Sequence, residues 1–221
     1  MPEAQKTGVF VVDDHPLVRD SLAMLINQQE DMRVCGEAED MASALRGFAQ
    51  AAPDIAIVDL SLKEGSGLEL IKHLKARAPA VQVVVLSMHD EKLYAERCIR
   101  AGARGYVMKR ESSKRIVAAI REVCGGRLFL SQQAACLFAE RFVGARQGLT
   151  ETPLENLSDR ELQVFGMIGQ GMPTRDIAGS LNVSVKTVQA YCARIKQKLH
   201  IESATELLRE AVRWHDQQNA N

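Results

Sequence analysis

Four charged residues stand directly after short apolar runs, and their types suit one chemistry. Asp13 and Asp14 follow Val9-Phe10-Val11-Val12, Asp59 follows Ile55-Ala56-Ile57-Val58, and Lys109 follows Gly105-Tyr106-Val107-Met108. Each run reads as a buried strand with a charged side chain at its carboxyl end. In an open parallel α/β sheet, sites form at that edge. Three carboxylates gathered there repel one another unless a cation joins them. A hard divalent ion such as Mg²⁺ takes oxygen ligands and leaves room in its shell for phosphate. A carboxylate in such a cluster can itself be a nucleophile and take a phosphoryl group as an aspartyl phosphate. Lys109 offers a point positive charge to phosphoryl oxygens, and Ser87, ending Val83-Val84-Val85-Leu86, can donate its hydroxyl to them. Any one of these residues could sit at a strand end only because the chain surfaces there. The signal is the whole set in this order.

The elements that must position them follow from hydrophobic period. Strand-like runs are expected at Val9–Val12, Arg33–Gly36, Ile55–Val58, Val81–Leu86 and Arg104–Val107. Helical spacing separates them, as in Leu17, Leu22, Leu25, Ile26 and in Leu68, Ile71, Leu74. Strands alternating with helices predict βαβ units and an α/β class, here a flavodoxin-like, doubly wound, five-stranded parallel sheet in order 2-1-3-4-5 over residues 7–124. Gly125-Gly126 ends the fifth helix, and residues 125–156 read as a linker with one loosely attached helix near Ala134–Phe142.

From Leu157 the grammar becomes all helical. Ser158-Asp159-Arg160-Glu161 is a capping box, Gly169 and Gly171-Met172-Pro173 stop its helix, and Thr174 is placed to cap a short helix through Ser180. Ser184 caps a longer helix in which Val185, Val188, Cys192, Ile195 and Leu199 form the expected buried stripe. Ser203-Ala204-Thr205-Glu206 is a second capping box, opening a last helix toward Trp214 with Leu207, Leu208, Ala211 and Val212 on its apolar side. Residues 157–216 therefore predict a compact all-α, four-helix helix-turn-helix domain. Its longer helix holds four basic residues and no acid from Ser184 to Leu199, which suits a polyanion.

Composition narrows the class without naming a partner. The chain is 46% apolar and 25% charged with formal net charge zero, so a nucleic-acid surface must be local. Five scattered cysteines without CxxC spacing predict free thiols rather than a disulfide framework or a zinc site. No signal-peptide pattern or membrane-length apolar stretch is present, so the expectation is a soluble, cytoplasmic protein with no membrane partner.

Residues 8 to about 124 resemble the receiver domain of two-component response regulators, through VVDDHPLVRDSL, IAIVDLSLKEGSGLELI, VVVLSMHDE and AGARGYVMKRES. The resemblance implies Asp59 as phosphoacceptor, Asp13 and Asp14 as metal-site acids with the Ser61 carbonyl completing the Mg²⁺ shell, and Ser87 and Lys109 as phosphoryl contacts. It also implies Tyr106 as an aromatic switch, turning inward when the phosphoryl group draws in the Ser87 hydroxyl. A half-buried strand tyrosine is the plain alternative. One departure is the run Leu62-Lys63-Glu64-Gly65-Ser66-Gly67, which lacks the proline many receivers carry. Lys63 and Glu64 could then alter kinase fit or phosphoryl lifetime.

The segment LSDRELQVFGMIGQGMPTRDIAGSLNVSVKTVQAYCARIKQKLHI is similar to the LuxR-type helix-turn-helix, and receiver plus this module is the NarL/FixJ architecture. By that resemblance the helix after Ser184 lies in the DNA major groove. Gln189, Ala190 and Ala193 would face base edges, while Lys186, Thr187, Arg194 and Lys198 would hold phosphates. The implied protein is a phosphorylation-dependent DNA-binding transcriptional regulator, not an enzyme beyond its own phosphotransfer and dephosphorylation. Its implied partners are a sensor histidine kinase, double-stranded DNA with inverted-repeat half-sites, a second copy on activation and, as a further candidate, RNA polymerase. Two rival readings remain. One gives the helical domain a protein or RNA partner. The other, an aspartate-nucleophile phosphohydrolase, is weakened because the early acids are adjacent rather than spaced Asp-x-Asp.

Overall fold

A computed structural model describes residues 6–62, 65–142 and 153–220. Lys63 and Glu64 therefore lie outside the described residues. The chain divides into two compact units, residues 1–139 and 140–221. Among the described residues no helix is long and apolar enough to cross a membrane.

In the first unit, β1 (Thr7–Val12), β2 (Met32–Ala38), β3 (Ile55–Val58), β4 (Gln82–Ser87) and β5 (Gly105–Met108) form a parallel sheet. Its order is β2-β1-β3-β4-β5, as the alternating pattern predicts. The intervening helices are α1 (Pro16–Asn27), α2 (Met41–Ala51), α3 (Gly67–Arg77), α4 (Glu91–Ala101) and α5 (Ser113–Cys124). Burial on both faces explains why the central strands are unbroken Val/Ile runs. One face sets Val9, Val11, Ile55, Ile57, Val84, Leu86 and Val107 against Leu22 and Ile26 of α1 and Ile116, Ile120 and Val123 of α5. On the other face Phe10 packs on Phe48 of α2, ring centroids 4.5 Å apart. Leu17 departs from the expected stripe of α1: it is 79% exposed, whereas Leu22 and Ile26 are buried and Leu25 packs against the core.

The stretch after α5 stays on this unit. Phe129 pairs with the outer edge of β5, donating its amide to the Arg104 carbonyl and accepting from the Tyr106 amide, both at 2.9 Å. The Ser131 amide donates to Glu91 of α4 at 2.9 Å, and Ala134 at the start of α6 (Gln132–Phe142) is buried. The segment expected to begin a loose linker is thus tied to the sheet and to α4 before α6 begins.

The second unit holds a 3₁₀ turn (Pro153–Asn156), α7 (Asp159–Gly169), α8 (Thr174–Ser180), α9 (Val185–Leu199) and α10 (Ala204–Ala220). Leu162, Phe165, Ile177, Val188, Ile195, Leu207, Ala211 and Trp214 form its core. Gly169 lets α7 and α10 touch: a Cβ there would fall 2.5 Å from the Ala211 carbonyl. The Ser158 box forms as predicted, with the Ser158 hydroxyl accepting from the Glu161 amide and the Glu161 carboxylate accepting from the Ser158 amide. Three local expectations change. Thr174 is the first helical residue rather than the cap, which is Pro173. Glu206 turns its carboxylate to the Glu202 amide instead of that of Ser203, so only half of the second box closes. Val185 is 41% exposed, since it sits on the first turn of α9, before the helix meets the core.

Gly67 connects the fold to the acidic edge. A Cβ at this position would lie 1.9 Å from the Asp59 carbonyl oxygen, a backbone atom that cannot swing aside. Gly67→Ala is therefore expected to destabilise the first unit by about 1–3 kcal/mol, read as a lower urea midpoint of its unfolding transition. An unchanged midpoint would mean that the β3–α3 junction has slack this packing does not suggest.

Candidate functional site

The register of β1 on β3 brings the predicted acids together. Asp13 and Asp59 leave the ends of paired strands, where the Asp59 amide donates to the Val12 carbonyl at 2.8 Å and the Asp13 amide to the Ala38 carbonyl at 3.1 Å. Both are buried, with 1% and 3% exposure. Lys109, following β5, reaches across β4 to sit 2.7 Å from Asp13 Oδ2 and 2.7 Å from Asp59 Oδ2. Asp13, Asp14, His15 and Asp59 each offer a ligand atom, all within 4.8 Å of one another. His15 was not among the sequence candidates, although its place beside Asp13-Asp14 is a visible signal. Its Nδ1 lies 2.6 Å from Asp14 Oδ1, and its amide donates to Asp13 Oδ1 at 2.9 Å.

The electrostatics are those of a buried, undercompensated anion cluster. Burial raises the Asp59 pKa from 3.8 to about 6; Lys109 opposes this and the neighbouring Asp13 adds to it. Burial alone would lower Lys109, but Asp59 and Asp13 hold its ammonium above the ordinary lysine range. Asp59 Oδ1 is buried with no hydrogen-bond partner among the described residues. An orphaned carboxylate oxygen amid further oxygen donors fits a hard divalent cation.

The predicted hydroxyls converge beside this cluster. Ser87 is fully buried at the end of β4, and its Oγ accepts from the His89 amide at 3.2 Å. Its hydroxyl also faces that of Tyr106 as a side-chain hydrogen-bond partner. Tyr106 is 1% exposed, and its hydroxyl donates to the His89 carbonyl at 2.7 Å. The half-buried strand tyrosine is therefore not what the structure contains: the ring is already inward. His89 is a second residue that the sequence did not single out. Its Nε2 shares a hydrogen bond with the Ser61 hydroxyl at 2.9 Å, and its ring stacks on Tyr94 at 4.6 Å.

In the second unit, α9 turns Lys186, Gln189, Ala190, Ala193 and Arg194 to solvent while Val188 and Ile195 face the core. Ser184 caps the helix through the Thr187 amide at 3.0 Å, and the two hydroxyls lie 2.8 Å apart. Arg194 lies over the Tyr191 ring at 5.7 Å. Lys198, a phosphate contact by the resemblance, is exposed and also has partners inside the unit. Its ammonium is 2.7 Å from the buried Glu161 carboxylate and donates to the Asn156 carbonyl at 3.1 Å. Burial pushes Glu161 up, yet Lys198 and the Ser158 donors outweigh it and hold the carboxyl below its ordinary value. Lys198 thus ties α9 to the start of α7.

An acid-and-lysine pocket on a 2-1-3-4-5 sheet, with a basic-faced helix-turn-helix in a second unit, defines a phosphate-handling regulator that binds DNA. Residues 9–121 match the response regulator receiver domain, and residues 155–211 match the bacterial regulatory proteins of the luxR family. The chain belongs to the two-component response regulators of the NarL/FixJ type, which are DNA-binding transcriptional regulators. It is 34% identical to the oxygen regulatory protein NreC of Staphylococcus carnosus over 209 residues, covering 93% of this chain and 96% of that one. It is 33% identical to the DNA-binding transcriptional activator DevR/DosR of Mycobacterium tuberculosis, with 90% of each chain covered. Among solved structures it is similar to RcsB from Salmonella enterica serovar Typhimurium bound to promoter P1flhDC with the phosphomimetic BeF3⁻. That match has a TM-score of 0.70 and 25% identity and covers 94% of this chain and 98% of the other. The membership implies a histidine kinase partner.

Two stability effects follow. Asp59 has a raised folded-state pKa, so the folded chain keeps its proton longer than the unfolded chain does. Its charge therefore destabilises the metal-free fold above about pH 6, and the effect vanishes below about pH 4, where both states are protonated. Asp59→Asn should stabilise the first unit by about 1–3 kcal/mol at neutral pH in chelator, with no gain at about pH 4, measured by urea unfolding. No gain at neutral pH would contradict this account of the pocket. Glu161 has the opposite sign: its depressed pKa contributes stability above its ordinary 4.5 that is lost as pH falls. Lys198→Ala should destabilise the second unit by about 1–3 kcal/mol at neutral pH, and the deficit should shrink in acid. A Lys198→Ala chain of wild-type stability would show that the contact with Glu161 does not hold α9 to α7.

Proposed function

We propose that Asp59 is the phosphoacceptor of this regulator and that α9 is its DNA-reading helix. The observation that carries the first half is the Lys109 ammonium held at 2.7 Å from both Asp13 and Asp59, beside an Asp59 oxygen with no partner among the described residues. In phosphotransfer from a histidine kinase, an Asp59 oxygen attacks phosphorus and the bond from phosphorus to the kinase imidazole nitrogen breaks. Lys109 shifts onto the incoming phosphoryl oxygens, and the Ser87 hydroxyl donates to another. Asp13, Asp14, Asp59 and the Ser61 carbonyl would hold Mg²⁺, which when bound neutralises the charge of the carboxylates and the phosphoryl group. The chain's own residues thus assist both phosphotransfer and the later hydrolysis, without making the protein an enzyme toward other substrates.

Ser87 and Tyr106 then convey the change of charge. Both touch the first residues after β4, through the His89 amide and carbonyl, so a pull on the Ser87 hydroxyl reaches the loop that leads into α4. The altered face of α4, β5 and α5 would favour pairing of two copies and the gripping of two half-sites. Lys186, Thr187, Arg194 and Lys198 would contact phosphates, with Gln189, Ala190 and Ala193 toward base edges. Gln189 can pair bidentately with adenine. RcsB, in complex with promoter DNA and BeF3⁻, supports this arrangement by similarity. A cytoplasmic location, with DNA and a kinase domain both in reach, belongs to this proposal.

Selection of binding sites from random duplex DNA, with and without beryllofluoride and Mg²⁺, tests both halves. An inverted repeat enriched only with the mimic is expected. Enrichment in both conditions would remove the phosphoswitch, and enrichment in neither would remove the DNA role. Gln189→Ala should relax selectivity at one base pair per half-site, by about 1–3 kcal/mol. An unchanged selected site would show that Gln189 does not read it.

A further inference from the structure

We propose that His15 is a nitrogen ligand at the Asp59 pocket, and that through it the pocket takes a transition dication of the zinc class in competition with Mg²⁺. This rests on that pocket being the divalent-cation site of the acceptor Asp59. His15 stands at the N-cap of α1, a place usually filled by Ser, Thr, Asp or Asn because their side chains accept from the first helical amides. Its imidazole makes no such bond. Nδ1 instead approaches the acids, 2.6 Å from Asp14 Oδ1 and 3.4 Å from Asp13 Oδ1, although the side chain is 66% exposed. The backbone around it is restrained. The His15 amide donates to Asp13 Oδ1 at 2.9 Å, and Pro16 opens α1 with its fixed φ.

The approach to Asp14 is close without being a hydrogen bond. Asp14 Oδ1 is buried and has no hydrogen-bond partner among the described residues, and the same holds for Asp59 Oδ1. Lys109 sits on Oδ2 of both Asp13 and Asp59, so it serves neither of these orphaned oxygens. Donor atoms about 2.0–2.2 Å from one ion stand roughly 3–4.4 Å apart. Asp13, Asp14, His15 and Asp59 each bring one such atom, all within 4.8 Å of one another. Carboxylates alone suit Mg²⁺, whereas an imidazole adds a donor that transition dications favour. Four protein ligands also make a full tetrahedral set for zinc, without the open position that a phosphoryl oxygen needs. A zinc-class ion held by His15 therefore opposes phosphorylation of Asp59, while Mg²⁺, which keeps exchangeable waters, permits it.

The test titrates the full chain with Co²⁺, a spectroscopic substitute for zinc, and then titrates Mg²⁺ against the bound Co²⁺. A cobalt d–d absorption band that Mg²⁺ displaces is expected. His15→Ala alters a mostly exposed side chain that caps nothing, so folding is not at stake. It should lower the ratio of Co²⁺ to Mg²⁺ affinity at least about tenfold, the scale on which metal sites weaken when a residue around them is removed. A role limited to pairing with Asp14 would move both affinities together and leave the ratio unchanged. With Mg²⁺ present, Zn²⁺ should suppress phosphoryl uptake from phosphoramidate, and His15→Ala should need about tenfold more Zn²⁺ for the same suppression. An unchanged ratio, cobalt that Mg²⁺ does not displace, or equal zinc sensitivity of the two chains would overturn the His15 assignment and leave Asp59 as acceptor. A wild-type chain that takes up no phosphate and binds both ions no better than Asp59→Asn would overturn the acceptor site and this inference with it.

Discussion

The interaction on which the first unit depends is the Lys109 ammonium lodged between the carboxylates of Asp13 and Asp59. Two buried anions on neighbouring strands would drive the carboxyl edge apart or force protonation. One cation relieves only part of that load, which is why the Asp59 pKa stays raised to about 6 and why one of its oxygens has no partner among the described residues. The edge is stable enough to fold and remains short of positive charge. That residual deficit is what makes a divalent cation and a phosphoryl group acceptable there.

The neighbouring loops are arranged around the same deficit. Ser87, His89 and Tyr106 form a short hydrogen-bonded chain from the pocket wall to the start of α4. Tyr106 is already buried, and its hydroxyl and Ser87 both hold the loop that carries His89. Movement in that loop reaches Tyr94 through the stacked imidazole, and Tyr94 lies within α4.

How much of this was legible in the chain depends on how local its cause is. The strands were readable because Val9–Val12 and Ile55–Val58 are apolar on both faces and are followed by acids, and the strand order came from the fit of five βαβ-type repeats to the flavodoxin-like class. The Ser158–Glu161 box was readable because its bonds span three residues. The pairing of Lys198 with Glu161 spans 37 residues and is created only when α9 packs on α7. A lysine on a basic helix carries no mark of such a partner. Likewise His89 looks like an ordinary loop residue until β3 and β4 pair and bring Ser61 beside it. Val185 fits the helical period, but the period does not reveal where along the helix contact with the core begins.

The pairing of Phe129 with β5 has a consequence for how this unit meets other proteins. An edge strand offers unpaired amides and carbonyls on which foreign strands can add. Here the Tyr106 amide and the Arg104 carbonyl are taken by the chain itself, and Arg115 lies over the Phe129 ring. A receiver cut after Cys124 would lose that cover and expose those groups beside Tyr106. In the intact protein a partner strand cannot add at the Gly105 end of this border without first displacing Phe129.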